Sequence, residues 1–94
     1  MGTMVNLENH DTERMNCEVL QIVSDIKLSS TQKMMTLIIR DENNTVVVSQ
    51  QKWWRHKETD KWKPGKGFQL DGRTSIMVGK AMSEAGSKIV TIKN

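Results

Sequence analysis

Every aromatic residue of this 94-residue chain, Trp53, Trp54, Trp62 and Phe68, falls within one 16-residue stretch. A chain of this length buries only about 60–65% of its potential surface, so a monomer is marginal unless it shares its core with a partner. Cys17 is the only cysteine, which rules out an intrachain disulfide and a cysteine-rich zinc site. Lying in an apolar run, it reads as a small buried hydrophobe rather than a reactive thiol. His10 and His56 are far apart with no ligand-like spacing. No metal or cofactor is therefore expected, and nothing points to an enzyme. No apolar run approaches the roughly 20 residues that cross a bilayer, and the N-terminus carries no signal-peptide pattern. The expectation is a cytoplasmic protein without a membrane partner, or a nuclear one if the chain is eukaryotic.

Residues 1–15 are polar and follow neither structural period, so a flexible acidic tail is expected there, with one domain over 16–94. Cys17–Leu28 is rich in Val, Ile and Leu. Its apolar residues change parity along the run, which predicts a strand with a bulge or strong twist. Lys33–Arg40 reads as a second strand, and Asp41-Glu42-Asn43-Asn44 as the hairpin turn after it. A third strand is expected from Thr45 to about Arg55, opening on β-branched residues. His56–Lys63 reads as a polar loop and Pro64-Gly65 as a turn, since proline removes a ladder N–H. Gly67–Leu70 is then a short fourth strand.

Asp71 is placed to cap a helix starting near Gly72. Ile76, Met77, Val78, Ala81, Met82 and Ala85 form its apolar stripe, and Gly86 reads as its C-cap. Lys88–Lys93 has strand composition and reads as a trailing strand. The expected fold is α+β: a curved four-stranded antiparallel sheet followed by a C-terminal helix, β-β-β-β-α, with one sheet face covered and one open.

Charge is as uneven as the aromatics. Residues 1–26 hold one arginine and five acids, whereas residues 27–94 hold 13 bases and six acids. Within Gln50–Arg73 seven bases, Lys52, Arg55, Lys57, Lys61, Lys63, Lys66 and Arg73, stand among the four aromatic rings with only Glu58, Asp60 and Asp71 opposing them. Single-stranded nucleic acid calls for this mixture, because cations contact phosphates while flat rings stack on exposed bases. A duplex hides its base faces and is normally read by a helix or ribbon in a groove. The one clear helix here has few bases. An aromatic-lined module for binding another protein, and a single-stranded RNA binder, are the alternative readings. Adjacent Trp53 and Trp54 point to opposite faces of a strand, so one is expected in the core and the other free to stack. Trp62 could pack over Pro64 or contact a base, and His56 reads as solvent-exposed.

The stretch LIIRDENNTVVVSQQKWWRHKETDKWKPGKGFQL, Leu37–Leu70, resembles the single-stranded-DNA-binding domain of the transcriptional coactivator family of positive cofactor four, which has small bacterial and bacteriophage members. The resemblance rests on Arg40-Asp41 ending a strand, a hairpin of matching length, the pair Trp53-Trp54, and Lys63-Pro64-Gly65-Lys66-Gly67 leading into a strand and helix. It implies a homodimer whose helices pair through Met77, Val78, Ala81, Met82 and Ala85, binding single-stranded DNA with little sequence preference. It also implies that Trp54 stacks on a base, and that Lys63, Lys66 and Arg40 contact the backbone. Lys52, Arg55, Trp62 and Phe68 are added from this chain's own pattern. The chain departs from the family at Glu42, Asn43, Asn44 and Thr45, where the family has an aromatic and lysines, and at Gln51, where it has an arginine. The acidic leader argues against the eukaryotic role and for a bacteriophage or bacterial one, in replication or recombination rather than transcription.

Overall fold

Burial alternates along strand β2, Gln32–Arg40: Lys33, Met35, Leu37 and Ile39 are buried and the residues between them are not. This period-two row is the spine of the core. Strand β1, Glu18–Lys27, pairs with one side of it and strand β3, Val46–Trp54, with the other; strand β4, Lys63–Leu70, pairs with β3. The sheet runs β1-β2-β3-β4 with every pair antiparallel, and helix α1, Gly72–Lys93, follows it. This computed structural model describes residues 7–13 and 15–93. The α+β order expected from the sequence is the order observed.

Local chemistry explains most of the element boundaries. The Asp41 carboxylate accepts the N–H groups of Asn43 and Thr45, both at 2.9 Å, while Asn44 takes the left-handed conformation with φ 66°. Asparagine tolerates that region better than most residues. The register between β1 and β2 shifts between Val19 and Gln21 and again between Ile22 and Ser24, which accounts for the change of parity in this run. Asp71 caps α1: its carboxylate accepts the Thr74 N–H at 2.7 Å, and this bond holds the Asp71 carboxyl below its ordinary 3.8.

Four expectations are corrected. Pro64 does not sit in a turn; it lies in β4 opposite Trp53, so the strand begins four residues earlier than Gly67. β4 is an edge strand, where a missing N–H can face away from the ladder, and the register shift between Gln51 and Trp53 takes up the irregularity. Gly86 does not end the helix and Lys88–Lys93 is not a strand, because α1 continues to Lys93. No described glycine has positive φ, so Gly86 lacks the conformation a C-cap needs. Helical spacing carries the apolar series Met82, Ala85, Ile89, Ile92 past it, outweighing the modest helix penalty of Ile and Val. The Lys88–Glu84 ion pair at 3.6 Å bridges the same turn.

Residues 7–13 do not behave as the expected tail. They lie along Trp62, whose N–H donates to the Asn9 carbonyl at 2.6 Å and whose carbonyl accepts the Asp11 N–H at 2.8 Å. Residues 1–6 and 14, also assigned to that tail, lie outside the described residues. Leu7, Met15 and Cys17 pack against the core formed by Met35, Leu37, Ile39, Trp53 and Trp62. The leader, not the helix, therefore closes this face of the sheet.

Helix α1 covers little. Thr74, Ser75 and Val78 are half-buried near β3, while every residue from Gly79 to Ile92 is exposed. The radius of gyration, 14.9 Å, exceeds the roughly 12.4 Å of a compact chain of this length, as a helix about 33 Å long standing off the sheet requires. Among the described residues no helix is long and apolar enough to cross a membrane. With the core this small, Leu37→Ala should lower unfolding stability by about 2–5 kcal/mol in urea denaturation.

Candidate nucleic-acid interface

β3 pairs with β2 without a break from Val46 to Trp54, so its parity is uniform. Val47, Ser49, Gln51 and Trp53 face the core side; Val46, Val48, Gln50, Lys52 and Trp54 face the other. Trp53 is 0% exposed and Trp54 38%. The choice between the two adjacent tryptophans is thereby made by the pairing of Lys33 with Trp53.

Three neighbours hold the Trp54 ring. Lys63, opposite it on β4, places its ammonium 5.5 Å from the ring centroid. His56 meets it edge-on, with centroids 5.4 Å apart. Gly65 leaves room beneath it: a Cβ there would stand 3.6 Å from Trp54 Cδ1 and 3.3 Å from the Lys52 carbonyl oxygen. Lys52 lies two residues before Trp54 on the same strand face, and Lys66 follows Gly65 on the neighbouring strand. Lys52, Lys63 and Lys66 have no ion-pair partner among the described residues.

The fold brings together only part of the expected site. Trp54, Lys52, Lys63 and Lys66 converge. Phe68 is exposed opposite Gln50, four strand positions from Trp54 or about 13 Å. Arg40 pairs with Val46 at the other end of β3, about 27 Å along the strand from Trp54, and is held by Glu18 at 3.2 Å. Arg55 is turned inward: its guanidinium donates to the Thr59 carbonyl at 2.9 Å, pairs with Asp60 at 3.5 Å and lies 5.2 Å from the Trp62 ring centroid. Trp62 is 8% exposed and belongs to the core. Its burial depends on residues 7–11, so its place in a charged loop gave no sign of it. His56 is the addition: the sequence shows it two positions after Trp54, but only the turn of the chain at the end of β3 brings the rings together.

The remaining helix candidates, Met77, Val78, Ala81, Met82 and Ala85, lie on the exposed length of α1 or at its junction with the sheet. Val78 and Met82 line an apolar groove of about 450 Å³ between α1 and the sheet, with Ile38, Val48, Phe68 and Leu70 opposite them. This groove is on the same sheet face as Trp54, six residues along β3 from Val48. Elsewhere, Cys17 is half-buried and its thiol is pushed up by burial, which keeps it protonated. Among the described residues no cluster of three His, Cys, Asp or Glu could hold a metal ion.

No family model, no curated protein and no solved structure matches this chain.

The close approach of β4 to β3 is specific at Gly67, where a Cβ would stand 2.6 Å from the Gln50 carbonyl oxygen and 2.8 Å from Gln51 Oε1. Backbone cannot give way as a flexible side chain can. Gly67→Ala should destabilise the fold by about 1–3 kcal/mol and raise amide exchange along β4, read by hydrogen exchange.

Proposed function

We propose that this chain is a homodimer that binds single-stranded DNA with little sequence preference through the surface around Trp54. The observation that carries the reading is an indole turned out of the sheet beside Lys63, with Lys52 and Lys66 close by on the same two strands and none of the three in an ion pair among the described residues. A ring in that setting can stack on a base while Lys52, Lys63 and Lys66 follow the phosphates, the pairing of contacts that single strands need and duplexes do not offer. The resemblance of Leu37–Leu70 to the positive-cofactor-four family points the same way. Arg40, Arg55 and Trp62 drop out of the proposed surface because each is engaged elsewhere; Phe68 extends it toward the helix. Binding of this kind serves processes that expose single strands, such as replication, recombination and transcription.

The dimer is supported by what one subunit leaves uncovered. Val78, Met82, Ala85, Ile89 and Ile92 follow a four-three spacing along α1, the pattern of a seam that meets another helix. Met82 is 64% exposed and Ile92 80%. A second copy offers the same seam, and two-fold pairing is the commonest way such a surface is closed. Ile89→Asp should convert the dimer to a monomer in light scattering; an unchanged dimer mass would remove α1 from the interface.

Titration with labelled oligo-dT should quench tryptophan fluorescence, and the logarithmic salt slope should be near −2 for three neutralised phosphates. A flat salt response would overturn the phosphate-contact reading. Trp54→Ala should lose about 1–3 kcal/mol of affinity with an unchanged fold. Absence of binding at about 50 mM salt, with a protein retained by the same surface, would favour a protein-interaction module instead. Competition between matched DNA and RNA oligomers tests the choice of sugar.

A further inference from the structure

The contact of residues 7–13 with the sheet is short and contains two unpaired polar atoms. His10 forms an isolated parallel bridge with Trp62 and sets its ring edge-on to Trp53, with centroids 5.0 Å apart and planes at 87°. His10 Nδ1 lies 2.8 Å from the Glu8 carbonyl oxygen. A carbonyl can only accept, so Nδ1 carries the hydrogen and Nε2 is bare in the neutral ring. Nε2 is buried with no hydrogen-bond partner among the described residues, and so is Trp53 Nε1. A second proton on His10 must go to Nε2, where it would be a buried donor without an acceptor, on a ring newly charged.

Among the described residues, the sheet charges that act on the ring are opposed or already paired. From β2, Lys33 opposes the charged ring, while from β1, Asp25 favours it but is engaged by Lys33 at 2.9 Å. Lys27, Arg55 and Asp60 line the adjoining cavity beside Asn9 and Trp62, and Asp60 is paired with Arg55. Glu8, Asp11 and Glu13 are on the leader itself. Burial is the largest influence and pushes His10 below its ordinary 6.5.

We propose that residues 7–13 form a clasp that releases from the sheet when His10 takes up a second proton, uncovering Trp53, Trp62 and Lys33. The direction follows from linkage. The docked leader binds the proton less readily than the released one, whose histidine titrates near 6.5. Docking is therefore strongest above that pH and weakens as pH falls below it. Release would expose Trp62 with Lys33 and Arg55 over its ring, 4.7 and 5.2 Å from the centroid, on the opposite side of the sheet from Trp54. The clasp stands independently of DNA binding at Trp54.

The test is amide protection of Asp11 and Trp62 in the full chain, followed by NMR hydrogen exchange from about pH 8 to about pH 5. These two N–H groups make the bonds that a release must break. Their protection factors should fall by up to tenfold per pH unit as the pH drops below the 6.5 of the released ring, the signature of one linked proton, while those of Leu37 and Ile39 hold. His10→Gln, which cannot titrate, should keep its protection constant over the same range. Constant protection in the wild-type chain would overturn the clasp. An equal pH response in His10→Gln would assign the release to another group and overturn the role of His10. If His10→Gln fails to dock, the wild-type ring decides: a His10 midpoint at or above the ordinary 6.5 overturns the proposal, and one below it supports it.

Discussion

The pairing of Lys33 with Trp53 sets the rest of the structure. Both side chains are buried, Lys33 at 4% exposure and Trp53 at 0%. A buried ammonium needs partners, and it has two: the Asp25 carboxylate at 2.9 Å and the Trp62 ring, whose centroid is 4.7 Å away. Strand β1, strand β2 and the loop before β4 are thus tied together at one point. Because side chains alternate along a strand, a one-residue slip of β3 would put Trp54 in the core and Trp53 in solvent. The inward ring and the outward ring are consequences of one register.

That register divides the sheet into two unlike faces. One is closed by residues of the same chain: Leu7, Met15, Cys17 and Trp62 complete it. The other carries Trp54 at one end and the apolar groove beside α1 at the other. Half of the large hydrophobic side chains left exposed among the described residues, from Ile76 to Ile92, are on the helix. A helix of 22 residues with so little contact to its own sheet leaves most of its apolar residues exposed. The shortage of core that the chain length implies is therefore concentrated in one place, and the proposed dimer closes it there.

Much of this fold was legible in the residues themselves. The Asp41–Asn44 turn, the Asp71 cap and the strand ending at Arg40 each depend on side chains within a few positions of one another, and each formed as read. The errors share the opposite character. Pro64 reads as a turn unless β4 is known to be an edge. Gly86 reads as a C-cap unless the apolar series is followed two turns beyond it, to Ile92. Trp62 reads as a free ring in a basic loop unless residues 7–11 are placed over it. Arg40 reads as part of the basic surface, yet antiparallel pairing carries it to the far end of β3 from Trp54.

By itself, then, the sequence determined the element order, the turn, the cap and the presence of rings among lysines, because these depend on neighbours along the chain. Only the tertiary structure decided which rings and which cations share a surface. Strand pairing turns Trp53 in and Trp54 out, and a segment about fifty residues away buries Trp62. The aromatic cluster that looks like one feature in the sequence is split by the sheet: Trp53 and Trp62 hold the core, and Trp54 and Phe68 face outward. Burial is a property of both partners of a contact, and local sequence carries only one of them.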